Sequence, residues 1–365
     1  MKNLLNNLGA LSIGLIISIL LIEVFLYFNN PFGFRQKGNQ IILRSNRKYI
    51  FDNQNIKGVD SVIIHNKNSL GFRGEEIPDN YNNSTSIIAV GGSTTECLYL
   101  SDGKDWVSLL DKKLERDFDN IWLNNAGLDG HSTFGHQILL DDYLVKLKPD
   151  YIIFLVGVND VGRGDIGKYD KRQLKTEDIK WTKQIENNSQ LFSLIKNLIR
   201  NIRARRKNLS HYSVPSFEEL EQLDSIQPSE VEKAIQSHQS FALNYESRLM
   251  QLIQTTKENN ITPILATQPS LVGEGIDVLT GIDLEKVKLC HHLGGKVHWE
   301  ILEVYNDITR KIATKEDIFI IDLAHHMPKS TDLFYDCIHF NNKGAEEVSK
   351  IFYEALKPLL YSKQQ

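Results

Sequence analysis

The sequence has little cysteine and no strong excess of charge of either sign. Its three cysteines, Cys97, Cys290 and Cys337, lie far apart in 365 residues. We therefore expect no disulfide framework and interpret each cysteine as a small buried hydrophobic residue. The formal net charge of −4 does not indicate a protein that binds nucleic acid. Because no zinc-type cysteine–histidine spacing and no H-E-x-x-H motif occur, we predict neither a metal site nor a cofactor.

One apolar run departs from this globular composition. Residues 8–28 are nearly all apolar, with Ser12, Ser18 and Glu23 as interruptions. The run matches the roughly 20 residues that cross a bilayer. No small-residue cleavage site follows it, as a removable signal peptide would require. We predict a membrane anchor at residues 1–28, and the alternative is a buried helix of a soluble protein.

Strands and helices alternate from Ser86 onward, after a polar, asparagine-rich connecting region at residues 29–85. The predicted strands are 86–91, 120–124, 150–156, 261–267 and 317–322. The predicted helices are 94–118, 134–147, 229–258, 297–314 and 342–358. This alternation predicts a three-layer α/β/α sandwich at residues 86–360, with a mainly parallel five-stranded sheet between the helices.

A helical insertion at about residues 161–228 interrupts the alternation. Apolar residues recur there at helical spacing: Leu191, Leu194, Ile195, Leu198, Ile199 and Ile202. Basic residues occupy the opposite face and the C-terminal end: Lys196, Arg200, Arg203, Arg205, Arg206 and Lys207. Such a helix can lie on an anionic membrane surface. We favour the alternative that it packs on the domain, as most amphipathic helices do.

The segment from Ile87 to Glu96 predicts a buried strand, a glycine turn and a helix that begins at Ser93. A serine at a helix N-terminus is near backbone N–H groups that favour a developing negative charge. A serine hydroxyl needs a base to become a nucleophile. Asp336 and His339, three residues apart, can supply a base and the acid that orients it.

Two further turns follow predicted strands and supply candidate oxyanion donors. Gly127 follows the second strand and Asn159 follows the third. Both would lie at the carboxyl edge of the sheet, where open α/β folds build their sites. The N–H of Ser93, the N–H of Gly127 and the amide of Asn159 are the predicted donors. Taken singly, each of these residues could equally be a loop or capping residue.

Together, these segments resemble the four sequence blocks of the SGNH hydrolase superfamily, also called GDSL-type esterases and lipases. The resemblance extends over residues 86–358 and matches Ser93, Gly127, Asn159 and the pair Asp336–His339. It implies the SGNH, flavodoxin-like fold and acyl transfer through an acyl-enzyme on the serine. The expected substrate is an acyl or acetyl ester, for example of an acetylated glycan.

Gly92 is a departure from the family pattern, since many members have aspartate before the serine. A glycine at this position resembles the variant found in membrane-anchored bacterial members of the family. Those members also carry a stretch similar to residues 68–74. That resemblance implies an extracytoplasmic catalytic domain. The count of positive charges around the apolar run instead implies a cytoplasmic catalytic domain, because Lys2 precedes the run and five basic residues follow it.

Several alternatives stay open at the level of sequence. The same residues suit an O-acetyltransferase that acts on a surface polysaccharide, and an inactive scaffold with this fold is less expected. Arg73 is interpreted as either a substrate-binding or a structural arginine, and His131 as a residue that lines the pocket. The sequence does not indicate the oligomeric state.

Overall fold

The computed structural model of the chain describes residues 2–28, 36–37, 40–53, 56–164, 185, 188–206, 217, 220–289 and 293–364. The chain divides into two compact units. The first comprises Met1–Arg44 and Arg172–Tyr212, and the second comprises Ser45–Lys171 and Ser213–Gln365.

The first unit contains two helices and a short antiparallel strand pair. The N-terminal helix is Lys2–Phe28, and we call it the anchor helix after its predicted role. It is long and apolar enough to span a membrane from Asn6 to Phe28. The strands Gln36–Lys37 and Gln40–Ile41 pair with each other. The basic helix is Gln190–Arg206, and it falls within the predicted helical insertion.

The second unit is built on a five-stranded parallel sheet, as the sequence predicts. In spatial order its strands are Ile121–Asn125, Thr85–Gly91, Tyr151–Leu155, Thr262–Ala266 and Ile320–Ile321. The apolar residues of the Thr85–Gly91 strand are fully buried, because helices cover both faces of the sheet. An antiparallel hairpin, Arg47–Asp52 with Val62–Lys67, precedes the sheet in the chain.

Helices flank the sheet in two layers. One layer pairs Trp106–Leu114 with Asn342–Gln364, where the rings of Trp106 and Phe352 stack at 4.5 Å. The other layer packs Pro228–Glu258 against Gly295–Lys315, and a 2.8 Å hydrogen bond joins Tyr245 to Thr309. Further helical segments are Thr133–Leu139, Leu140–Leu144 (a π-helix), Val145–Leu147 and Leu323–His326.

The predicted helix 94–118 is wrong in its continuity. The structure has a four-residue helix, Ser93–Glu96, which ends because Cys97 adopts a left-handed conformation with φ of 49°. The next helix begins only at Trp106, where the Asp105 carboxylate caps it by accepting a hydrogen bond from the Ser108 N–H. Ser93, the predicted nucleophile, therefore begins a four-residue helix that a loop separates from the next helix.

The cysteines also differ from the expectation. Cys97 is free and buried, as expected of a small hydrophobic residue. Cys337, in contrast, is disulfide-bonded. Cys290 lies outside the described residues.

Candidate active site

Ser93 lies where the Thr85–Gly91 strand turns into the Ser93–Glu96 helix. The turn needs glycine because the chain approaches its neighbours closely. A Cβ at Gly91 would lie 2.1 Å from Thr95 Oγ1 and 2.5 Å from the Leu155 carbonyl oxygen. The close turn directs Ser93 to the carboxyl edge of the sheet, the usual place for a site in this type of fold.

The structure brings together the serine, histidine and aspartate that the sequence separates. Ser93 Oγ lies 2.7 Å from His339 Nε2, and His339 Nδ1 lies 2.6 Å from Asp336 Oδ2. Asp336 Oδ1 also accepts hydrogen bonds from the backbone N–H groups of Ile338 and His339, at 2.9 and 2.8 Å. With Asp336 ionised, Nδ1–H donates to the carboxylate, and Nε2 can accept the proton of the serine hydroxyl that it contacts.

The environment of Asp336 favours the ionised form. Burial alone would raise the pKa of this carboxyl, but the adjacent His339 imidazole and three hydrogen bonds outweigh burial and hold the pKa below its usual value. The orienting group is therefore a carboxylate at neutral pH.

Tyr335 is a supporting residue that sequence reasoning did not identify. Its ring stacks on the His339 imidazole with centroids 5.4 Å apart and an interplanar angle of 6°. The ring of Tyr99 meets the Tyr335 ring edge-on, with centroids 6.3 Å apart. Burial raises the pKa of Tyr335 well above its usual value, so the ring stays neutral. Its position directly before Asp336 was the only available signal in the sequence.

The Asn159 side chain lies against Gly92, next to the nucleophile. A Cβ at position 92 would come within 2.1 Å of Asn159 Nδ2. The amide donor is therefore close to the backbone N–H of Ser93, and both can point toward one developing oxyanion.

Gly127 also lies at this edge but has a different environment. Its N–H donates to Asn125 Oδ1 at 2.9 Å, and a Cβ on it would lie 2.3 Å from the Glu96 nitrogen. The glycine therefore permits close packing against the nucleophile helix, while its N–H is engaged within the chain.

A buried ionic network that the sequence did not predict holds the Asn159 turn. Asp160 and Arg248 form an ion pair of 3.1 Å, and Thr133 bonds to both through its hydroxyl. Burial raises the pKa of Asp160, although the Arg248 charge and these hydrogen bonds oppose the rise. The network ties the turn to the helices Pro228–Glu258 and Thr133–Leu139.

Arg73 is buried beneath the nucleophile helix, with 1% of its surface exposed. Its backbone bridges to Asn125, and its guanidinium donates to the carbonyls of Glu96, Cys97 and Leu100 at 2.7–2.8 Å. These carbonyls belong to the end of the helix and the loop after it. The geometry favours the structural alternative for Arg73 over the substrate-binding one.

His131 lies beside the glycine turn through its backbone. Its carbonyl oxygen would be 3.4 Å from a Cβ at Gly92, and its buried ring lies 6.4 Å from that of His136. Burial lowers the pKa of His136 to about 3, so this neighbour is neutral. Among the residues that the structure describes, no cluster of three or more histidine, cysteine or acidic side chains could hold a metal ion.

Comparison with known proteins finds similar solved structures and a matching family model. Similar solved structures include the acetyl xylan esterase AlAXEase, at 16% identity with a TM-score of 0.43, covering 74% of this chain and 98% of that one. The acetylxylan esterase Axe2 from Geobacillus stearothermophilus is similar at 13% sequence identity, with a TM-score of 0.43. The match covers 75% of this chain and 94% of Axe2. A G-D-S-L family lipolytic protein from Veillonella parvula is similar at 15% sequence identity, with a TM-score of 0.41. The match covers 74% of this chain and 97% of that protein. Among curated proteins, no sequence matches the chain.

The family model provides the assignment. The model of the GDSL-like lipase/acylhydrolase family matches residues 89–347, which is more than half of the chain and includes the strand end before Ser93 as well as Asp336 and His339. The chain belongs to the GDSL-like lipase/acylhydrolase family.

Proposed function

We propose that the protein is a membrane-anchored serine esterase that hydrolyses acyl esters, with acetyl esters of carbohydrate as its substrate class. The observation that carries the proposal is the continuous relay from Ser93 Oγ through His339 to Asp336, with contacts of 2.7 and 2.6 Å. These are the hydrogen-bond distances that a nucleophile, its base and an orienting acid require.

The mechanism follows from these contacts. Ser93 Oγ attacks the ester carbonyl carbon while His339 Nε2 takes the serine proton, and Asp336 stabilises the imidazolium that forms. The tetrahedral intermediate collapses, the C–O bond to the alcohol breaks, and His339 returns the proton to the departing alcohol. Water, deprotonated by His339, then attacks the acyl carbon, the bond between that carbon and Ser93 Oγ breaks, and His339 returns the proton to Ser93 as the carboxylic acid leaves.

We assign the oxyanion to the Ser93 N–H and the Asn159 amide. Loss of one such donor typically raises the barrier by about 2.7–4 kcal/mol. The Gly127 N–H would join this set only when its hydrogen bond to Asn125 opens, so it is not part of the resting donor set.

Limited access to the site supports a small acyl group. Ser93 and His339 are each only 7% exposed. A long acyl chain would need a wide apolar channel to reach the serine, whereas an acetyl group requires little space.

Replacement of the nucleophile tests the activity. Ser93→Ala should lower hydrolysis of p-nitrophenyl acetate by at least about 10⁴-fold and abolish labelling by a fluorophosphonate probe. Ser237→Ala, an exposed serine substitution elsewhere, should retain both. Full activity in Ser93→Ala would overturn the mechanism, and wild-type protein that neither labels nor hydrolyses would indicate a binding scaffold.

The acceptor distinguishes hydrolysis from acetyl transfer. Acetate release from acetylated xylo-oligosaccharides is expected to proceed equally with and without an unacetylated glycan. Acetylation of the added glycan, detected by mass spectrometry, would instead assign the acetyltransferase activity, because a sugar hydroxyl would then outcompete water.

The anchor and its orientation are part of the proposal. The anchor helix is largely exposed, which suits a lipid environment. A disulfide at Cys337 supports an extracytoplasmic catalytic domain, since disulfides persist in oxidising compartments.

A further inference from the structure

Glu23, near the end of the anchor helix, contacts the start of the basic helix. Its carboxylate accepts hydrogen bonds from the Ser189 hydroxyl, from the Gln190 N–H at 2.7 Å and from the Leu191 N–H at 3.2 Å. A carboxylate in this position satisfies backbone donors that have no partner within their own helix. The one acidic side chain of the apolar run therefore caps a second helix of the same unit.

The contact is confined to the last turns of the anchor helix. Of the side chains described from residue 6 to residue 28, all are exposed except Glu23 and Leu26. A helix that ran alongside the anchor would cover a longer stripe of it. The basic helix therefore begins near the C-terminal end of the anchor, where a spanning segment leaves the hydrocarbon region.

The basic helix exposes four of the six residues of its apolar stripe, while Leu191 and Leu194 near its start are half-buried. Ile195, Leu198, Ile199 and Ile202 are 42–52% exposed, whereas Ser193, on the opposite side, is 0% exposed. An amphipathic helix packed on a soluble domain buries its apolar stripe. The exposed residues leave this part of the stripe open to the second alternative of the sequence, a helix on an anionic membrane surface.

The charge of the helix is of one sign. Gln190–Arg206 contains Lys196, Arg200, Arg203, Arg205 and Arg206 and no acidic residue. Cations at the membrane surface are attracted to anionic lipid headgroups, each by about 1 kcal/mol.

We propose that the basic helix lies along the surface of the membrane, with its apolar stripe at the boundary of the acyl chains and its cations among anionic phospholipid headgroups. The inference rests on the proposed membrane anchor. Glu23 then has a specific role: it fixes the start of the surface helix at the depth where the anchor ends, and the helix donors stabilise a carboxylate that would otherwise be costly near lipid.

Site-specific photocrosslinking of the full chain in lipid nanodiscs tests this inference. p-Benzoylphenylalanine replaces Leu198 on the apolar stripe, or Asn197 on the opposite side as the matched control. The nanodiscs contain either POPC alone or POPC with 30% POPG. Mass spectrometry identifies the adducts after irradiation.

We expect phospholipid adducts at position 198 several-fold above those at 197, with a higher yield in the POPG nanodiscs. Equal yields at both positions, or a crosslink from position 198 to protein, whether a second copy or the same chain, would overturn the surface location. A yield at 198 that does not change with POPG would overturn the preference for anionic lipid.

A third variant separates this inference from the proposals on which it rests. p-Benzoylphenylalanine at Leu15, in the exposed middle of the anchor helix, should give lipid adducts whether or not the basic helix touches the membrane. Absence of adducts at position 15 would contradict the anchor itself. Acetate release by each variant reports the esterase separately and should equal that of the wild type.

Discussion

Because Gly92 has no side chain, the Asn159 amide can lie directly against the backbone at this position. Many members of the family have aspartate at this position, yet here a Cβ would lie 2.1 Å from Asn159 Nδ2. The glycine and the position of the asparagine are therefore coupled in this chain. Because the contact is with the end of a side chain, a larger residue would displace the amide and leave the strand in place.

Gly92→Ala should consequently lower kcat for acetyl ester hydrolysis by about 10²–10³-fold, the usual effect of losing one oxyanion donor. The fold should remain intact by circular dichroism. In an Asn159→Ala background the same substitution should add little, because the donor has already been removed. Multiplicative losses in the double variant would show that Gly92 acts through another contact.

The buried ion pair Asp160–Arg248 affects the stability of the protein, since both charges are removed from water. Arg248→Met should destabilise the protein by about 3–5 kcal/mol, because it leaves an unpaired buried carboxylate. Without the cation, the pKa of Asp160 rises further above its unfolded value. Stability is then retained at low pH and lost as the pH rises through the folded-state pKa.

Urea denaturation of Arg248→Met at pH 5 and pH 8 should therefore show the larger loss at pH 8. The double variant Arg248→Met/Asp160→Asn should recover part of the stability, because no charge remains to be buried. A double variant less stable than Arg248→Met would contradict this account.

At the scale of the element, the Trp106–Leu114 helix contacts the edge strand of the sheet through an unusual carboxyl group. Asp111 is buried, and its Oδ1 accepts a hydrogen bond from the Leu123 N–H at 3.1 Å. Burial, with a smaller effect of the Glu115 charge, raises the pKa of Asp111 to about 7. Burial therefore favours the protonated acid, although the hydrogen bond from the Leu123 N–H opposes the rise.

This raised pKa predicts the sign of a pH effect on stability. Between an unfolded pKa of about 3.9 and the folded pKa, the native state binds the extra proton, so stability falls as the pH rises through about 4 to 7. Asp111→Asn keeps the acceptor oxygen and cannot ionise. The free energy of unfolding of this variant, relative to that of the wild type, should rise by on the order of 2 kcal/mol from pH 5 to pH 8, since each pKa unit corresponds to about 1.4 kcal/mol. A difference measured by urea denaturation that stays constant over this range would contradict the raised pKa.

At the scale of the whole molecule, the features that the sequence predicted are those with a local signature. The apolar runs at 86–91 and 150–156 predicted central parallel strands, because strands buried on both faces are apolar throughout. Family blocks identified Ser93, Asn159 and the Asp336–His339 pair as candidates. Their convergence at one edge followed from the rule that parallel strands end together.

The features that the sequence could not predict depend on contacts between distant segments. Arg73 is a long cationic side chain with no local sign that it lies under Glu96 and Cys97. The engagement of the Gly127 N–H depends on the rotamer of Asn125. The exposure of part of the apolar stripe of the basic helix was also not predictable, since periodicity identifies an apolar stripe but not which surface covers it.

The disulfide at Cys337 bears on the question of which compartment contains the domain, because disulfides persist in oxidising compartments. Cys337 lies between Asp336 and His339, whereas Cys97 is free. If the catalytic domain is extracytoplasmic, Cys337 should be oxidised in living cells, whereas Cys97 should be a free thiol. Disulfides rarely persist in the cytosol, so a cytoplasmic domain should have all three cysteines reduced.

Acid quenching of intact cells, followed by alkylation in denaturant and mass spectrometry, counts these thiols. We expect an alkyl adduct at Cys97 and none at Cys337, and adducts at both positions when the sample is reduced first. Three adducts without reduction would place the domain in the cytoplasm, in agreement with the positive charges that follow the anchor helix. The thiol state thereby decides between the two orientations, because the charge distribution favours the cytoplasm and the disulfide at Cys337 favours an oxidising compartment.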